Sequence, residues 1–128
     1  MTKNVDDIIR EAGAIPPVDR SKRVLTDGSP ETPDHRELRS DGMQKGYVVL
    51  SAEERARGFV RPVRDAYRHI KCGNITTMSR SIAETYARDP EFYTGTFCST
   101  CRKHFPVGAD GEFTWYENDG SEGPKVGT

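Results

Sequence analysis

The stretch "RHIKCGNITT", Arg68 to Thr77, decides how the chain is read, because a histidine and a cysteine stand three positions apart with a glycine directly after the cysteine. That is half of a tetrahedral ligand set. The next cysteines are Cys98 and Cys101 in "CSTCRKHF", so His69, Cys72, Cys98 and Cys101 spell His-x2-Cys, 25 intervening residues, and Cys-x2-Cys. A two-residue gap lets the chain turn in a tight knuckle that aims two side chains at one ion and turns backbone N–H groups toward the sulfurs. Gly73 fits the first knuckle, since the residue leaving such a turn often needs positive φ. Mixed thiolate and imidazole donors with no carboxylate among them suit Zn2+. His104 is the rival, because Cys98, Cys101 and His104 with Cys72 also make four ligands. His69 is preferred for restoring two equal knuckles, and His35 reads as solvated.

Outward from the knuckles the chain is thin in core-forming residues. Of 128 residues, 34% are apolar and 30% charged, so metal binding is expected to supply much of the folding free energy. Residues 1–45, rich in Pro, Gly, Ser, Asp and Arg, read as a mostly disordered leader. Within it, Val5, Ile8, Ile9 and Ala12 at helical spacing behind Asn4 predict a short helix over 5–12, either a frayed segment or an arm that docks on a partner. Residues 46–118 are expected to fold and 119–128 to form a flexible tail.

The expected class is α+β: a small zinc-stabilised unit with a short antiparallel sheet and one helix between the knuckles. "GYVVL" at 46–50 reads as a strand. Ser51 and Glu54 form a capping box for a short helix stopped by Gly58, and "FVRPVRDAYRHI" reads as extended with a bend at Pro62. Met78, Ile82, Ala83, Tyr86 and Ala87 fall on one face of a helix that ends before Pro90. "FPV" and "EFTWY" around "GADG" predict a hairpin just after the second knuckle.

The knuckles "HIKCG" and "CSTCRKHF" resemble those of zinc-ribbon domains, in which two such turns clamp a metal beside a small antiparallel sheet. The resemblance covers roughly residues 65–117. Members of that family usually carry four cysteines, or three and one histidine, and many have only strands where this chain has a helix. The layout, a small ribbon behind a charged leader, also resembles small zinc-binding proteins of bacterial and bacteriophage genomes. Such a resemblance implies a structural metal and says little about function.

Catalysis is not expected. The zinc deaminase signature needs a glutamate two residues after the histidine and a proline before the cysteine pair, where this chain has Lys71 and Phe97. Glu84 on the intervening helix reads as an exposed charge, and "CRKHFPV" does not read as the helix of a thioredoxin-like site. Binding is the expected work. Arg55, Arg57, Arg61, Arg64, Arg68 and Lys71 oppose only Asp65 over residues 55–71, a local charge of +5 in a chain whose net charge is −1. Arg102 and Lys103 in the second knuckle extend that stripe, and Phe59 and Tyr67 interleave it, as on nucleic-acid-binding surfaces. The alternative is a protein–protein adaptor, an inhibitor or a minor component of a larger, phage-derived assembly. No small-molecule substrate or membrane is expected, and the absence of an apolar run or signal peptide, with three unpaired cysteines, points to the cytoplasm.

Overall fold

Alternation of buried and half-exposed side chains builds the central strand. In β3 (Ala66–His69) Tyr67 and His69 turn inward while Ala66 and Arg68 turn outward. The computed structural model describes residues 15–128. β3 pairs on one side with β4 (Ile75–Thr77) and on the other with β7 (Phe113–Tyr116), which pairs in turn with β8 (Glu122–Lys125). The result is an antiparallel sheet in the order β4-β3-β7-β8. Two hairpin-like pairs flank it: β1 (Arg23–Leu25) with β2 (Val48–Leu50), and β5 (Gly95–Cys98) with β6 (Lys103–Pro106). With helices α1 (Ala52–Arg55) and α2 (Arg80–Arg88) the class is α+β.

Both helices start on serine caps. The Ser51 hydroxyl accepts from the Glu54 amide and the Ser79 hydroxyl from the Ile82 amide, each satisfying one of the amides that a first turn leaves open. The expected reciprocal half of the Ser51 box is missing, because the Glu54 carboxylate is taken by Arg88, Arg57 and the Asp19 amide. α1 ends at Arg55 rather than at Gly58. α2 lays Ala83, Tyr86 and Ala87 inward and stops at Asp89, before Pro90.

The core is an aromatic cluster, Tyr67, Tyr86, Phe113 and Trp115 with Cys98 and Val126, against which Cys72, Cys101, Phe105 and Ile82 pack. Edge-on pairs organise it: Tyr67 meets Phe113 at 5.3 Å between centroids, and Tyr86 meets Trp115 at 5.5 Å. Of the two aromatics at the end of β7, Trp115 is buried and Tyr116 exposed. Tyr67 is core, whereas Phe59 is exposed.

Three expectations are corrected. The segment 15–45 is not a solvated leader: β1 pairs residue for residue with β2, Leu25 is buried, and the Pro16 carbonyl accepts from Arg88. Its turn at Gly42 lies so close to the second knuckle that a Cβ there would sit 2.2 Å from the Arg102 carbonyl oxygen, and its φ of 89° also favours glycine. The tail is not free either, since β8 completes the sheet and Val126 is fully buried, its amide donating to the Phe113 carbonyl. Finally, β6 and β7 do not form a hairpin. β6 folds back on β5 because the Cys98–Cys101 turn already reverses the chain, which leaves β7 to pair with β3 and β8. Residues 1–14, with the helix expected over 5–12, lie outside the described residues.

Candidate metal centre

Each half of the site is a turn between antiparallel strands. His69 ends β3 and Cys72 sits in the turn to β4; Cys98 ends β5 and Cys101 sits in the turn to β6. The two turns are built alike. The Gly73 amide donates to the His69 carbonyl at 2.7 Å, and the Arg102 amide donates to the Cys98 carbonyl at 2.7 Å. In both, the residue after the second ligand is left-handed, with φ of 78° at Gly73 and 58° at Arg102. Glycine adopts that backbone without strain, and Arg102 adopts it at a small cost.

The four ligand atoms lie within 4.8 Å of one another, which makes His69, Cys72, Cys98 and Cys101 a group that could hold a metal ion. Cys72 Sγ is 3.7 Å from Cys98 Sγ, and Cys101 Sγ is 3.6 Å from His69 Nδ1. The Cys101 amide points at Cys98 Sγ from 3.5 Å. All three cysteines are free thiols. Hydrogen bonding from the Asn74 backbone, then from His69 and Cys98, lowers the Cys72 thiol to about 6. Packing and the neighbouring sulfurs of Cys98 and Cys72 push Cys101 up to about 11. One thiolate thus forms readily and the next is opposed by it, the electrostatic condition that a bound cation relieves.

His104 is not part of the cluster. Its Nε2 is hydrogen-bonded to the Tyr47 hydroxyl at 2.7 Å. The His69 ring is instead stacked between Phe105 and Phe113, with centroids 4.5 and 4.8 Å away. With Nδ1 facing the sulfurs, its Nε2–H donates to Glu112 Oε1 at 2.9 Å, and Lys71 pairs with the other oxygen of that carboxylate at 3.4 Å. The bond from His69, and then Lys71, hold Glu112 below the usual carboxylate range. A carboxylate on the far nitrogen fixes the imidazole tautomer and raises its basicity as a ligand. Sequence reading missed Glu112, 43 residues from His69 and in no motif with it. Glu112→Ala is expected to weaken metal binding by roughly ten- to a hundredfold and Glu112→Gln by less, measured by competition with a chromophoric chelator; unchanged affinity in both would remove Glu112 from the site.

The basic stripe does not form an open cationic face. Arg55 pairs with Glu84 at 2.8 Å, Arg57 with Glu54 at 3.2 Å, Arg64 with Glu117 at 2.7 Å, Arg68 with Glu122 and Lys71 with Glu112. Most of these acids come from distant parts of the chain, out of view in a local count. Glu84, bridged by Arg55 and Arg80, is a structural charge. Among the described residues, Arg61, Arg102 and Lys103 have no carboxylate partner within 4.0 Å, and Arg61 bonds only the Val60 carbonyl. Also among the described residues, no helix is long and apolar enough to cross a membrane.

Compared with protein-family models, with curated proteins and with solved structures, the chain shows no significant match.

Proposed function

We infer that the chain is a non-enzymatic binding module folded around one structural zinc ion, and that it contacts nucleic acid. The spacing of the ligand atoms supports the metal's identity. Two Zn–S bonds of about 2.3 Å at the tetrahedral angle end about 3.8 Å apart, and a Zn–S with a Zn–N bond about 3.6 Å apart. The observed separations are 3.7 and 3.6 Å, far longer than a disulfide of about 2.05 Å. Four protein ligands leave no position for a substrate, which favours a structural over a catalytic role. Bound there, zinc would neutralise the thiolates and tie the four-stranded sheet to the β5–β6 hairpin. Two like-built knuckles at strand turns resemble a zinc ribbon, with α2 as the departure.

The nucleic-acid reading rests on fewer cations than the sequence offers: among the described residues, no carboxylate pairs with Arg61, Arg102 or Lys103. Arg68 and Lys71, held in solvent-facing ion pairs, cost little to release, since such pairs contribute only about 0–1 kcal/mol. Single-stranded DNA and RNA oligonucleotides of mixed sequence test the reading. Micromolar binding that falls steeply with salt, weakened at least tenfold by reversing Arg61, Arg102 and Lys103 together, is the expected result. Absence of binding at low salt would leave a protein partner as the better reading. That alternative has its own observation: Ile75 and Tyr116 on the outer face of the sheet, and Ile70 in the first knuckle, are exposed.

A further inference from the structure

A second concave site lies where the 15–47 segment meets the Phe92–Gly95 loop and β6. It encloses about 350 Å³, at the lower end of the roughly 300–1,000 Å³ of small-ligand pockets. Arg20, Arg23, Arg36, His35, His104 and Phe92 line it, and among the described residues no carboxylate does. In a chain of net charge −1, three arginines and two histidines around one hollow are a local concentration of donors.

Their hydrogen bonds show how they are held. Arg20 forms a two-pronged pair with Asp89, at 2.7 and 3.0 Å, with its guanidinium 5.9 Å from the centre of the Phe92 ring. Arg23 is gripped by Glu31 at 2.6 Å. These acids compensate two of the arginines while fixing where they stand. Arg36 has no carboxylate partner among the described residues. His35 Nδ1–H donates to the Thr32 carbonyl at 2.7 Å, which leaves Nε2 uncommitted. The Gln44 backbone amide donates to the Tyr47 hydroxyl, which shares a hydrogen bond with His104 Nε2.

We propose that this pocket binds a nucleotide phosphate, seated by Arg36 with Arg20, Arg23 and the two histidines, its base lying along Phe92. The guanidinium fork matches phosphate oxygens, and arginine over an aromatic ring is also a surface on which a planar base stacks. The phosphate could belong to a free mononucleotide or to a polynucleotide; the chemistry is the same, and the site is separate from the Arg55–Lys71 stripe.

Calorimetric titration of the zinc-loaded full chain with inorganic phosphate, AMP and a single-stranded hexanucleotide tests this. AMP is expected to bind saturably and more tightly than phosphate. Arg36→Glu, an exposed residue whose change leaves zinc content and the circular dichroism spectrum intact, is expected to weaken AMP at least tenfold, whereas Arg61→Glu leaves it unchanged. Hexanucleotide binding lost with Arg36→Glu assigns the site to a polymer. AMP binding lost with Arg36→Glu but no hexanucleotide binding assigns it to a mononucleotide, and overturns the nucleic-acid reading alone. No saturable AMP binding, or AMP and hexanucleotide binding indifferent to Arg36→Glu, overturns the pocket.

Discussion

Chelating the metal from the folded protein is expected to unfold the four-stranded sheet together with the paired strands around it, β1 and β8 included. Structural zinc supplies an apparent 10–16 kcal/mol in small zinc-finger peptides, whereas whole domains are stable by only about 5–15 kcal/mol. This chain has a metal-independent core, but a small one, and half the ligand set lies inside it. Cys98 is fully buried, and Cys72 and Cys101 pack against the same aromatic cluster. Without a cation, sulfurs 3.7 Å apart are left with no charge to share, at the point where the β5–β6 hairpin meets the main sheet. Loss of near-ultraviolet circular dichroism and of a cooperative thermal transition on adding a strong chelator, both restored by stoichiometric zinc, is the expected outcome. Cys98→Ser should reproduce it without chelator. A chelated sample that kept its melting transition would show that the aromatic core carries the fold alone.

The candidate site was legible in sequence for a local reason. His69, Cys72, Cys98 and Cys101 announce themselves because each knuckle is local, and its geometry follows from a two-residue gap. α2 was readable in its inward face and its stop before Pro90, both local signals, although it begins at Arg80 and leaves Met78 outside the helix. The failures share a different cause. The predicted β6–β7 hairpin followed a good turn signal at "GADG", yet the metal knuckle had already spent β6 on β5, a competition visible only in three dimensions. The segment 15–45 looked disordered because it is anchored by strand pairing, by Leu25 and by a few polar contacts rather than by an apolar face. The pairing within the basic stripe was out of reach for a related reason: Glu117 and Glu122, which compensate Arg64 and Arg68, are more than fifty residues away.

Arg88 is the sharpest case of a residue whose role sequence hides, and its replacement is expected to have the second largest effect. It is the last residue of α2, and its side chain is 1% exposed. It donates to the Glu54 carboxylate at 2.9 Å and to the carbonyls of Glu54, Gly58 and Pro16, joining α1, the loop after it and the N-terminal segment to α2. Breaking a buried pair by removing one partner costs about 3–5 kcal/mol, mostly by stranding the other charge. Arg88→Met is therefore expected to lower stability by about that amount in urea unfolding at neutral pH. The pH dependence separates this cause from lost packing. Burial acts to raise the Glu54 carboxyl, but Arg88, the Asp19 amide and Arg57 outweigh it and hold the group below its ordinary value. In the native protein this contribution is present above the unfolded value and lost as pH falls through the folded one. Without Arg88 burial dominates, the folded value rises above the unfolded one, and the penalty is greatest at high pH. The gap between Arg88→Met and the native chain should consequently narrow between pH 7 and pH 5, and Glu54→Gln added to Arg88→Met should recover part of the loss at pH 7. A gap that is constant across that range, with no recovery in the double variant, would mean that Arg88 acts through packing and its carbonyl bonds rather than by neutralising Glu54.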